Sequence, residues 1–129
     1  MTKAKTMTGE GSEKKRKYDL EERTARFGED VIAFAKKIPK GPVTLPLIDQ
    51  LVRSATSVGA NYCEADDAES KKDFRHKINT CRKEARETKH WLRMVVSAES
   101  SLKDQARTLW QEAKELHLIF AAILRGRNR

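Results

Sequence analysis

The residues best equipped for chemistry are two pairs of carboxylates, Glu84 with Glu87 and Glu112 with Glu115. Each pair is spaced i,i+3, so on a helix both side chains share one face. Two such pairs converging inward could hold magnesium for nucleotide hydrolysis, as carboxylate sites in helical proteins do. The apolar pattern around them argues against it. With the apolar residues at heptad positions a and d, Glu84 and Glu112 fall at g, and Glu87 and Glu115 at c. The c positions face away from the seam, and Lys83, Arg86 and Lys114 stand near as counter-charges. Solvated carboxylates are expected, with no metal.

The other reactive side chains are no better placed. His76 and His90 are two heptads apart, too far for one metal, and His117 lies far along the chain. Arg86 precedes His90 with three residues between and Arg82 with seven, which misses the Arg-His spacing of helical ribonucleases. Cys81 falls on an apolar stripe and should act as a small hydrophobe. Cys63 lies near a helix end, and neither thiol has a neighbouring His to activate it. Two cysteines cannot make a zinc site alone. No catalytic residue, metal or cofactor is expected, so the chain reads as non-enzymatic.

The strongest surface feature is basic. Residues 70–98 hold nine Lys+Arg against three Asp+Glu. Within them Lys72, Arg75, Asn79, Arg82, Arg86, Lys89 and Arg93 recur at steps of three and four. On a helix they form one row about 32 Å long at 1.5 Å per residue. A rigid row of cations suits a phosphate backbone and makes binding salt-dependent. The competing readings are a solvated face and a face against another subunit, where acids such as Glu64, Asp66, Asp67 and Glu69 could neutralise part of the row.

The elements that position this row follow from composition and period. The chain has 129 residues and a net charge of +8, with 36% charged, 38% hydrophobic and 6% aromatic residues. That length allows one domain, and so few aromatics weigh against a β-sandwich or barrel. Residues 1–17 contain no apolar residue larger than Met7, and residues 1–18 read as a disordered basic arm. A first helix begins near Asp19, with Leu20, Thr24, Phe27, Val31, Phe34 and Ile38 as its stripe. IPKGPV ends it. A second starts at Thr44 to Pro46, with stripe Ile48, Leu51, Ala55, Val58 and Tyr62. Gly59 inside it implies a close neighbour. A third opens at Ser70, capped with Asp73, and runs to about Ala98 on Phe74, Ile78, Cys81, Ala85, Thr88, Leu92 and Val95. A fourth opens at Ser101 with Asp104, on Leu102, Ala106, Leu109, Ala113, Leu116, Phe120 and Ile123, and ends at Gly126. The short links predict an all-α, antiparallel up-down-up-down four-helix bundle over residues 19–125, with a short basic tail at 126–129. No signal peptide or membrane span is apparent, and both thiols should be reduced in a cytoplasmic setting.

Residues 50–92 also carry a resemblance. Gln50-Leu51-Val52-Arg53-Ser54, Ser57-Val58-Gly59-Ala60-Asn61, Glu64-Ala65, Ser70-Lys71-Lys72-Asp73-Phe74, Lys83-Glu84-Ala85-Arg86-Glu87 and Trp91-Leu92 are similar to the signature of bacterial four-helix-bundle proteins related to those encoded in 23S rRNA intervening sequences. The likeness spans about residues 20–124, with Cys63 where that family has Arg or an aliphatic residue. It implies a homopentameric ring and no established enzymatic activity. A related branch, the accessory protein of diversity-generating retroelements, binds a reverse transcriptase and nucleic acid. With a ring implied, Trp91 and Trp110 become interface candidates, since Trp is enriched at interfaces. The leading expectation is a self-assembling bundle that binds RNA or other nucleic acid through Lys72, Arg75, Arg82, Arg86, Lys89 and Arg93. The alternative is a scaffold ring for a protein partner such as a reverse transcriptase, with the basic charge incidental.

Overall fold

The structure, a computed structural model, describes residues 12–127. Among those residues it contains four α-helices and no strand: α1 (Ser12–Ala35), α2 (Thr44–Asp66), α3 (Lys71–Ala98) and α4 (Lys103–Arg127). A single 3₁₀ turn, Ser100–Leu102, precedes α4.

One core joins the four. Every residue of the expected stripes is buried except Ile48, Phe74 and Ile123, which are half-buried at helix ends. The spacing of three and four keeps each stripe on one side of its helix, so burying it removes a continuous apolar strip from water. Phe27, Phe120, Ile38, Leu51, Ile78, Leu92 and Leu116 are its largest fully buried side chains. Three polar side chains sit among them, Thr24, Ser54 and Thr88, and all are satisfied. Thr24 donates to Leu20 O at 2.8 Å. Thr88 donates to Ser54 Oγ at 2.9 Å, and Ser54 donates to Leu51 O at 3.2 Å. These small hydroxyl side chains let α2 and α3 approach closely without stranding a polar group.

Gly59 lies against α1, the close neighbour its position implied, though at a distance that an added Cβ would just fit. A Cβ there would stand 3.4 Å from the backbone of Thr24. Gly28 faces Thr56 in the same crossing, with Thr56 Cα 3.6 Å from where a Cβ would be. α1 and α2 therefore meet backbone against backbone.

Three boundaries differ from expectation. α1 starts at Ser12, so residues 12–18 of the expected arm are helical and Asp19 lies inside the helix. The sequence there has no apolar stripe, but Glu, Lys and Arg are good helix formers. Extending a helix already anchored downstream avoids the costly nucleation step. Residues 1–11 of that arm lie outside the described residues. Ser101 does not cap α4; its hydroxyl donates instead to Glu99 Oε2 at 2.5 Å, and the 3₁₀ turn leads in. α4 continues through Gly126 to Arg127, so only residues 128–129 of the expected tail lie outside the description. Ser70 behaves as the capping pattern requires, accepting from Asp73 N at 3.0 Å. No helix among the described residues is long and apolar enough to cross a membrane.

Candidate nucleic-acid interface

Helix α3 presents two charged flanks, and they are built differently. The flank toward α2 carries Lys77, Glu84 and Glu87, and each meets an opposite charge. Arg53 of α2 reaches Glu84 at 3.4 Å and also donates to Glu87. Glu87 accepts a second bond from Trp91 Nε1 at 2.9 Å. The Trp91 bond, with the Arg53 bond and charge, holds the Glu87 carboxyl below its usual range despite partial burial. Burial alone would lower Arg53, but Glu84 and Glu87 raise it above the ordinary arginine value. Lys77 pairs with Glu64 at 2.5 Å.

The second carboxylate pair is held in the same manner. Arg23 of α1 donates from Nε to Glu112 Oε2 at 2.7 Å and from Nη2 to Glu112 Oε1 at 2.9 Å. Its Nη2 also donates to Glu115 Oε1 at 2.8 Å. The bonds to Glu112 raise the Arg23 pKa above the ordinary arginine value, against partial desolvation. Glu87 and Glu115 keep 39% and 51% of their side-chain surface exposed, in line with the expected solvated carboxylates, but the counter-charges are not the expected ones. Lys83, Arg86 and Lys114 are not their partners. The partners come from helices distant in sequence, which no pattern within one helix encodes. Such clamps leave the carboxylates turned onto guanidinium groups. Among the described residues no group of three or more His, Cys, Asp or Glu is placed to hold a metal.

The flank toward α4 is the expected basic row, and it divides in two. Arg75, Arg82 and Lys89 are engaged. Arg75 Nη1 donates to Leu124 O at 2.9 Å, satisfying a carbonyl near the end of α4. Arg82 Nε donates to Asn79 Oδ1 at 3.0 Å, while the Arg82 carbonyl lies 3.2 Å from His117 Nδ1. Lys89 Nζ stands 5.1 Å from the centre of the Trp110 ring. Lys72, Arg86 and Arg93 are exposed, and none takes part in an ion pair among the described residues. Glu64, in the last turn of α2, pairs with Lys77 rather than with the row.

α4 adds cations that reading one helix at a time missed. Lys114 Nζ lies 5.9 Å from the same Trp110 ring. Lys103, Lys114 and Arg125 are spaced by eleven residues, close to three helical turns. They therefore line one stripe, and all three are exposed. That spacing was the available signal. The face shared by α3 and α4 thus combines exposed cations from both helices, with Trp110 between them.

The two tryptophans also divide. Trp91 is half-buried against the core, with its N–H committed to Glu87 and its ring edge-on to His90 at 4.8 Å. Trp110 is 37% exposed. Cys81 is buried, its Sγ donating to Val58 O at 3.5 Å, and burial pushes its pKa up to about 12. That keeps it an unreactive thiol. Cys63 is exposed.

Comparison with known proteins supplies a family. The model of the 23S rRNA-intervening sequence protein family matches residues 16–122. A crystal structure from Bacteroides thetaiotaomicron VPI-5482, described as a protein with unknown function from the S23 ribosomal protein family, is similar at TM-score 0.78 and 26% identity. The likeness covers 85% of this chain and 98% of that one. No curated protein matches the sequence.

Proposed function

The chain belongs to the 23S rRNA-intervening sequence protein family, and on that premise we propose a non-enzymatic, self-assembling protein that binds RNA or other nucleic acid through the α3/α4 face. The observation that carries this reading is the trio Lys72, Arg86 and Arg93, exposed and without ion pairs, while the carboxylates of α3 and α4 nearest the seams are held by Arg53 and Arg23. Lys103, Lys114 and Arg125 extend the same field across the groove. Surplus cations on one face draw a polyanion by counterion release. Binding should be weakly sequence-dependent, because phosphate contacts position a strand without reading bases.

The proposed architecture is an antiparallel up-down-up-down bundle in a homopentameric ring, acting in the cytoplasm. The pairs Arg75 with Leu124, Arg82 with His117 and Lys89 with Trp110 support opposite directions for α3 and α4, since one number rises as the other falls. A second reading, a scaffold for a protein partner, is favoured by Ile32, Val43 and Leu45. These are 42%, 68% and 52% exposed where α1 hands over to α2. Exposed apolar side chains that form one contiguous patch mark contact surfaces.

One triple variant separates the readings: Lys72→Gln with Arg86→Gln and Arg93→Gln. Nucleic-acid binding through this face predicts weaker RNA retention with the assembly intact. Each charge removed should lower the slope of log affinity against log salt by roughly 0.7 to 0.9. An assembly that falls to the 14.7 kDa chain mass in light scattering would place the row between subunits instead. Intact mass with unchanged RNA affinity would overturn the nucleic-acid reading.

A further inference from the structure

We infer that the α3/α4 face takes single-stranded nucleic acid in preference to duplex, with Trp110 as the platform on which one unpaired base stacks. This rests on the phosphate-binding reading above and adds the class of strand to it.

The argument starts from the contrast between the two tryptophans. Trp91 has an internal role, packed on the core and donating to Glu87. Trp110 stands outside the buried core cluster, and over a third of its surface is open to water. What surrounds it is basic. Lys89 from α3 and Lys114 from α4 both bring their ammonium groups within 6 Å of the ring centre. Arg86, one helical turn before His90 on the same helix, is exposed and unpaired among the described residues. An aromatic ring set among cations that track a backbone is the arrangement by which single strands are held without sequence preference.

The chemistry of the ligand follows from access. In a duplex the base faces are covered by their neighbours, so a protruding indole meets only backbone and groove edges. In a single strand a base can turn out and lie on the ring, and every base has a π-face to offer. Stacking a base on an exposed aromatic is stronger than an exposed cation–π contact. A base therefore displaces the lysines from the ring, and the freed ammonium groups fall to the phosphates on either side. The same two lysines that cover the ring in the free protein become backbone contacts in the complex.

The test uses the full chain with a short oligouridine and an RNA duplex of equal length. Wild type should hold the single strand more tightly. Trp110→Ala should weaken single-strand binding roughly 5- to 150-fold, the factor for losing one stacked base, and leave duplex binding unchanged. Trp110→Phe, which keeps a stacking face, should recover most of the loss. Oligouridine should quench tryptophan emission in wild type, and much less in Trp110→Phe, where Trp91 alone emits. Equal losses for both strands, no loss at all, or dissociation of the assembly on Trp110→Ala would overturn the inference. Failure of the underlying reading looks different. In that case Arg86→Gln with Arg93→Gln leaves both affinities untouched, whereas loss of both in that variant with an inert Trp110→Ala sinks the stacking inference alone.

Discussion

The two flanks of α3 carry charge in opposite ways. Toward α2, Lys77, Glu84 and Glu87 each meet an opposite charge on the neighbouring helix. Toward α4, cation faces cation across the groove, and the contacts that do form use a carbonyl, an amide oxygen and an aromatic ring. A chain built only for stability would place carboxylates on α4 opposite the row. It has them, at Glu112 and Glu115, but on the side held by Arg23 of α1. The comparison teaches that acid and base are sorted by seam. One seam is zipped internally, and the other is left with an unmet demand for negative charge, which is what an anion-binding surface requires.

The comparison holds that the α3/α4 seam depends on apolar packing rather than ion pairs. The sharpest break is Leu116→Ala. Leu116 is fully buried on α4, so the substitution should cost about 2–5 kcal/mol through lost burial and the cavity it leaves. Denaturant unfolding would measure it. A loss of surface size would mean that the engaged cations, not the core, hold this seam.

Much of this architecture was legible in the sequence, and the exceptions have a common cause. The stripes from Leu20 to Ile123 were readable because burial imposes a period on neighbours within one helix. Ser70 with Asp73 was readable because a cap is a three-residue event. Arg53 clamping Glu84 and Glu87 was not, since the partners are 31 and 34 residues apart. Arg23 and Glu112 are separated by 89. The start of α1 left no trace because a solvated helical extension has no apolar period. The basic row was readable as a row, but which members were free was not. That depends on Leu124, His117 and Trp110 arriving from α4. Trp91 and Trp110 were both interface candidates in the sequence, and only their neighbours in the fold separate them.

A smaller effect sharpens the comparison by charge alone. Arg23→Gln and Arg53→Gln each remove the one cation holding two carboxylates. Both clamps reach the surface, so the expected cost is about 0.2–1 kcal/mol, with Arg23 at the upper end because it binds Glu112 through two nitrogens. Arg86→Gln, on the unpaired flank, should stay within about 0.5 kcal/mol of wild type. It could even stabilise the fold by relieving repulsion. Thermal melting at low salt checks all three. Equal losses would erase the distinction between the flanks.

The smallest expected effect is in acid. Glu87 has its pKa lowered in the folded protein by the Trp91 bond and by Arg53. A carboxyl held lower when folded than when unfolded contributes stability above its unfolded pKa, near the ordinary value of 4.5. That contribution is lost as pH falls through the folded pKa. Wild type should therefore lose stability as pH drops below about that ordinary value, and Glu87→Gln should lose less over the same window while matching wild type more closely at its lower end. The group is partly solvated, so the difference is modest and low salt is the condition that reveals it. The row toward α4 contains no carboxylate to titrate, so Arg93→Gln should leave the acid limb as it is in wild type. If Arg93→Gln changes that limb as much as Glu87→Gln does, the two flanks are coupled through charge, and the sorting of acid and base between them is not real.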